Sequence, residues 1–213
     1  SQVADVLHSE PAFRTWEDLV AKIGKQRRPI KVGITGKYTT VHDSYISIIK
    51  AVEHCSLHLG IKPELVWIET SEIRSEADAG NALKGLDGII VPGGFGSRGS
   101  EGKIACIKYA REHNMPFLGL CFGFQMAVIE YARNVCGQKK ANSTEIDPKC
   151  EPVICILPEQ EEVKGLGGTM RLGGYDVIIK TGTQARELYG KDSVRERFRH
   201  RYNVNTKFID TLE

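Results

Sequence analysis

A cysteine set between two glycines, in Gly119-Leu120-Cys121-Phe122-Gly123, is the residue of this sequence best suited to covalent chemistry. The apolar run Pro116-Phe117-Leu118-Gly119-Leu120 leads into it and reads as a buried strand. A helical pattern carrying Phe124, Val128, Ile129 and Tyr131 follows, up to Gly137. Gly-x-nucleophile-x-Gly between a strand and a helix is the signature of a nucleophile elbow. A Cβ at either glycine would obstruct so sharp a turn. The helix N-terminus then offers free N–H groups and a dipole that favour a thiolate. Most lone cysteines are buried and structural. Glycines at both minus two and plus two favour Cys121 as a nucleophile instead.

A second glycine-rich turn, Pro92-Gly93-Gly94-Phe95-Gly96, follows the apolar strand Leu86 to Val91. It lacks the Gly-Lys-Ser/Thr of a phosphate loop and the dinucleotide spacing. Beside an elbow it gains another use, because a backbone N–H there can point to where an oxyanion forms. The N–H of Phe122, immediately after the nucleophile, is the second expected donor. A thiol also needs a base, normally a histidine oriented by a carboxylate. Six histidines are present: His8, His42, His54, His58, His113 and His200. His54 and His58 lie one helical turn apart, which suits packing more often than a metal. His113 ends a helix, and His8 lies in the amino-terminal segment. His200 stands among Arg197, Arg199 and Arg201, a poor setting for a base. None occupies a convincing catalytic context.

These residues need a scaffold, and the chain spells one out. In residues 1–30, Thr15 is a fitting N-cap for a helix with Trp16, Leu19, Val20 and Ile23 on one face. Gly24 and the basic run Lys25-Gln26-Arg27-Arg28-Pro29 close it, as in a linker from something upstream. Lys31 to Gly36 is strand-like. Asp43 can cap a helix carrying Tyr45, Ile48, Ile49, Val52 and Leu59, ended by Gly60. Glu64 to Ile68 is the next strand, and the polar stretch Ser71 to Lys84 reads as loop. After the strand at Leu86 to Val91, a helix from about Gly99 to Asn114 carries Ile104, Ile107 and Ala110. The alternation predicts an α/β fold with a mostly parallel central sheet and helices on both faces. Ligands in such sheets sit beyond the carboxyl ends of the strands, where both glycine turns fall. After Gly137 the alternation breaks into a small antiparallel β extension: Pro152 to Leu157, Leu172, and Tyr175 to Ile179. Ser193-Val194-Arg195-Glu196 matches a capping box for a short helix, and Arg199 to Val204 reads as extended.

Composition narrows the class. The 213 residues can bury one full core. Lysine plus arginine number 29 against 27 acids, a formal charge of +2, which argues against a dedicated nucleic-acid binder. No apolar run approaches a membrane span and no signal peptide opens the sequence. Cys55, Cys106, Cys121, Cys136, Cys150 and Cys155 form no CxxC pair and no zinc spacing, so free thiols in a reducing, cytoplasmic setting are expected.

Five blocks in order carry a family resemblance: Pro92-Gly93-Gly94-Phe95-Gly96, Gly119 to Gln125, Ala141-Asn142-Ser143-Thr144-Glu145, Gly167-Gly168-Thr169-Met170-Arg171-Leu172-Gly173, and Arg199-His200-Arg201-Tyr202-Asn203-Val204-Asn205. Together they resemble the class I glutamine amidotransferase (glutaminase) domain of CTP synthases, from about Lys31 to Asn205. Lys37-Tyr38 and Asp43-Ser44-Tyr45 fit that family's first strand-to-helix turn. The resemblance implies a flavodoxin-like core, with residues 31–213 as the amidotransferase domain and residues 1–30 as a linker helix from an upstream synthase domain. It implies Cys121 as nucleophile and Gly94 and Phe122 as the oxyanion hole. Gly94, Phe122, Gly123, Phe124, Gln125, Glu145 and Arg201 would bind glutamine, an acid suiting its ammonium and an arginine fork its carboxylate. The family's histidine and glutamate lie in a His-Pro-Glu motif that these residues do not include, so no residue is assigned to them. No cofactor or metal is implied for this domain. In the full-length enzyme the resemblance implies ammonia delivery to an amino-terminal synthase domain that aminates UTP, with ATP and Mg2+, GTP as activator, and a homo-oligomer. Part of the GTP response could touch Arg171. Two other readings are a catalytically incomplete regulatory or assembly module of the same fold, and an elbow-cysteine hydrolase or redox sensor.

Overall fold

The computed structural model describes residues 11–22, 28–37, 39, 42–156 and 171–213, the side chains of residues 11–15, 19, 42, 171 and 172 excepted. His8, Ile23, Gly24, residues 25–27 of the basic run, Tyr38, Leu157 and residues 167–170 of the fourth block lie outside the described residues, as does the side chain of Arg171. Two compact units divide the chain, Ser1–Met126 and Ala127–Glu213.

The first unit is built on four parallel strands: β1 (Arg28–Gly36), β2 (Ile61–Glu69), β3 (Gly88–Val91) and β4 (Phe117–Gly119), in the order β2-β1-β3-β4. Ile34 pairs with Trp67 on one side and Ile90 on the other, and Val91 pairs with Gly119. Helices α1 (Pro11–Lys22), α2 (Ile46–Leu59), α3 (Glu76–Leu83) and α4 (Ser100–Glu112) connect and flank them. Ile34, Ile68, Ile89 and Val91 from the sheet meet Ala79, Leu83, Ile104, Cys106, Ile107 and Ala110 from the helices as buried core. The near-continuous apolar run of β3 suits a strand covered on both faces.

Several local expectations change. Thr15 falls inside α1 rather than at its N-cap. Trp16 and Val20, the two described side chains of the apolar face drawn through α1, are exposed. Asp43 lies in a 3-10 turn, His42–Tyr45, and Tyr45 holds the cap position of α2 without a side-chain cap. Gly60 ends α2 in the left-handed region, at φ 65°, as expected. The stretch read as loop contains α3: the Ser75 hydroxyl accepts the Asp78 N–H at 3.1 Å, and Ala79 and Leu83 bury one face. Its polar composition hid a two-residue apolar stripe at i, i+4. The strand before the cysteine is an edge, not a buried element. Among the described residues β4 has one neighbour, β3, and Leu118 is 52% exposed.

Helix α5 (Phe122–Asn134) contains the division between the units, and buries Met126, Ile129, Glu130 and Ala132. In the second unit β5 (Ala141–Ser143), β6 (Glu151–Ile156) and β9 (Tyr202–Val204) form one small sheet. β7 (Arg171–Ile178) and β8 (Ser193–His200), with α6 (Gln184–Tyr189) between them, form an antiparallel pair. β6 and β9 are antiparallel as well, but β5 and β6 run parallel. The capping box at Ser193 does not start a helix. Val194, Phe198 and His200 are the half-buried positions of β8, and a full ladder with β7 outweighs one local cap. Tyr175 and Phe198 meet edge-to-face across that ladder, 5.8 Å apart. A chain turn (Thr206–Phe208) and a short helix, α7 (Ile209–Leu212), follow.

Candidate active site

The four parallel strands of the first unit end together, and each end contributes to one site. Lys37 follows β1, Glu69 ends β2, Pro92-Gly93-Gly94 follows β3, and Cys121 follows β4. Cys121 is exposed and has φ 54°, in the left-handed region where a non-glycine residue is strained. The strain sits on the nucleophile itself; the flanking glycines serve close packing. A Cβ at Gly123 would run into the Val91 carbonyl, and one at Gly119 would lie 2.8 Å from the Phe124 nitrogen. Backbone hydrogen bonds lock the turn. The Leu120 N–H donates to the Val91 carbonyl at 2.9 Å, and the Gln125 N–H to the Cys121 carbonyl at 3.1 Å.

The second glycine turn closes on the elbow. A Cβ at Gly93 would stand 3.5 Å from that of Cys121 and 4.0 Å from its sulfur. One at Gly94 would lie 3.9 Å from a ring carbon of Phe122. The loop backbone, the thiol and the first residue of α5 are thus side by side. Phe122, as the first residue of α5, has an N–H without an intrahelical acceptor. Gln125 is buried on the same first turn, whereas Phe124 faces out, 49% exposed.

Sequence reasoning missed Lys103. It lies on the core side of α4, 3% exposed, and its Nζ donates to the Pro92 carbonyl at 3.2 Å. The same nitrogen sits 5.4 Å from the centre of the Phe122 ring and 3.9 Å from where a Gly94 Cβ would be. Burial pulls its pKa down to about 8, helped by the nearby Lys37 charge and opposed by the Cys121 thiolate and Glu69. The signal was available: Lys103, Ile107 and Ala110 fall at i, i+4, i+7, one helical stripe. Glu69 was missed too. Burial raises its pKa, but hydrogen bonds from Ser71 and Thr39 outweigh that and lower it overall.

Glu145 and Arg201 belong to the second unit, by themselves. Glu145 follows β5, half-buried, its N–H donating to the Ser143 hydroxyl at 3.2 Å. Arg201 joins β8 to β9, and its buried Nε has no acceptor among the described residues. Such an N–H is costly unless something accepts it. Among the described residues no group of three or more His, Cys, Asp or Glu is placed to hold a metal. His113 is committed elsewhere, stacked on Tyr109 at 3.9 Å with Nδ1 against the Tyr109 carbonyl. His200 packs edge-on to Phe198.

Residues 40–212 match the family described as glutamine amidotransferase class-I. The chain belongs to that family. It is 53% identical over 205 residues to a CTP synthase of Pyrococcus abyssi, covering 96% of this chain and 38% of the relative. It is 54% identical over 189 residues to a CTP synthase of Saccharolobus solfataricus, covering 88% and 35%. The chain therefore spans little more than a third of the length of these relatives. Among solved structures it is similar to the glutaminase domain of a Trypanosoma brucei CTPS with bound acivicin. The TM-score there is 0.79 at 36% identity, covering 86% of this chain and 71% of that one. The mostly parallel sheet flanked by helices, with its small antiparallel sheet, is the fold of that domain. Membership of this family favours the amidotransferase reading over a redox sensor that shares only the elbow. No helix of the described residues is long and apolar enough to cross a membrane.

Proposed function

We propose that this amidotransferase chain hydrolyses L-glutamine through Cys121 and, within a complete CTP synthase, passes the ammonia to an amino-terminal synthase domain. The observation that carries the reading is the strained, exposed Cys121 held against the Gly93-Gly94 backbone at the start of α5. The thiolate attacks the side-chain amide carbon, and the oxygen gains negative charge. The Gly94 and Phe122 N–H groups receive that charge. Ammonia leaves with a proton, and water releases glutamate from the thioester. Gln125, Glu145 and Arg201 hold the amino acid end of the substrate, with Gly123 and Phe124 lining the approach. The orphaned Arg201 Nε supports a carboxylate partner. His113 and His200 are engaged in ring contacts, and none of the six histidines is assigned as the base.

Residues 1–30 serve as the linker to the synthase domain, and residues 31–213 as amidotransferase. In the complete enzyme ATP and Mg2+ activate UTP for amination, GTP stimulates, the subunits form a homo-oligomer, and the setting is cytoplasmic. The test is ammonia release from glutamine by the complete enzyme. Cys121→Ala should abolish it while ammonia supplied directly still supports CTP formation. Release that survives Cys121→Ala would end the proposal.

A further inference from the structure

The buried lysine at the elbow has no role in the steps above, yet it touches both halves of the oxyanion hole. Its Nζ donates to the Pro92 carbonyl, in the loop that presents the Gly94 N–H, and lies over the ring of Phe122, which presents the second N–H. Among the described residues it makes no ion pair within 4 Å, so a carbonyl and a ring, not a counter-ion, meet the desolvated charge. Burial of that kind costs folding stability. Nothing in the packing of α4 requires it, because an apolar side chain of equal length would fill the same stripe with Ile107 and Ala110.

Resting on the glutaminase reading, we propose that Lys103 is a positioning residue for that reaction. Its ammonium ties the loop carrying the Gly94 N–H to the helix start carrying the Phe122 N–H, and sets a fixed positive charge beside the Cys121 thiolate. The groups that face it are Lys37 after β1, Glu69 at the end of β2 and Cys121 after β4. Lys37 opposes the charge, while Glu69 and the thiolate favour it. The coupling is reciprocal: a thiolate that helps Lys103 keep its proton is itself favoured by the ammonium.

The complete enzyme carrying Lys103→Met, Lys103→Gln or Lys103→Arg tests this, with circular dichroism confirming the fold. Two readouts are taken: kcat and KM for ammonia release, and the pH at which Cys121 is half-maximally alkylated by iodoacetamide, followed by peptide mass spectrometry. Lys103→Met should lower kcat roughly 10²-fold through misplaced donors, with KM little changed. It should also move the alkylation midpoint upward by about 1–3 pH units. Lys103→Gln keeps a donor for Pro92 without the charge, so it should restore part of kcat and none of the midpoint. Lys103→Arg should return the midpoint towards that of the wild type. Met and Gln variants that fold and keep the wild-type midpoint, or a loss confined to KM, would overturn the inference. Iodoacetamide needs no glutamine. An indifferent alkylation midpoint therefore removes Lys103 alone, whereas ammonia release surviving Cys121→Ala removes the glutaminase reading.

Discussion

At the scale of single residues, the six cysteines differ in ways that can be measured. Burial pushes the Cys106 thiol up to about 12, and burial with the Asp147 charge raises that of Cys150. Cys121 is exposed at a helix start. A glutamine-mimicking electrophile should therefore label Cys121 ahead of the other five, as read by peptide mapping, and preferential labelling of Cys150 would remove the nucleophile assignment. Arg201→Ala should raise KM for glutamine, since a charge-assisted pair is worth about 1.5–3 kcal/mol, with kcat less affected. Equal losses in kcat and KM from a folded variant would count against a clamp. Lys103 makes a stability prediction with a definite sign. Its folded pKa, about 8, lies below the ordinary lysine value of 10.5, so between those values the unfolded chain binds more protons and stability rises with pH. At pH 7 the buried charge costs on the order of 3 kcal/mol. Lys103→Met relieves that cost but strips the Pro92 carbonyl of its donor, about 1 kcal/mol. The variant should gain about 2 kcal/mol in urea unfolding at pH 7, and the gain should shrink from pH 8 upward.

At the scale of elements, the elbow depends on the contact between the first turn of α5 and the end of β3. Gly123→Ala drives a Cβ into the Val91 carbonyl, which can yield only by moving the strand end. Overpacking of this kind costs about 1–3 kcal/mol. The variant should lose Cys121 labelling more than it loses helicity, and intact labelling would show that the turn tolerates the shift. Helix α3 offers a milder case. Ser75 accepts the Asp78 N–H and caps it, so Ser75→Ala should cost about 1 kcal/mol in unfolding and leave thiol labelling alone.

At the scale of the whole molecule, thiol chemistry and glutamine turnover separate. The chain spans little more than a third of its curated relatives, 38% and 35% of the two compared above. Of its described histidines, His113 stacks on Tyr109 and His200 packs edge-on to Phe198. A polypeptide of these 213 residues should react with thiol electrophiles at Cys121 yet release ammonia roughly 10²–10⁴-fold more slowly than the complete enzyme, the usual worth of general acid–base help. Comparable rates would mean that one of the six histidines serves as the base.

What the amino-acid sequence determined by itself is local or strictly periodic. Gly119 and Gly123 around Cys121, the Pro92-Gly93-Gly94 turn and the strand–helix alternation from Lys31 to Gly137 are set by backbone sterics and apolar period. Those act within a few residues, and the parallel sheet follows from them. The tertiary structure decided what depends on partners remote in sequence. The eight residues from Ser193 became a strand because β7 supplied a ladder, overriding their capping box. The strand before Cys121 became an edge because nothing pairs beyond it in the described sheet. Lys103 shares a helical stripe with Ile107 and Ala110, but only the packing of α4 carries its charge inside, beside Pro92 and Phe122. Burial and the electrostatics that come with it are sums over neighbours from many strands, and no window of sequence contains them.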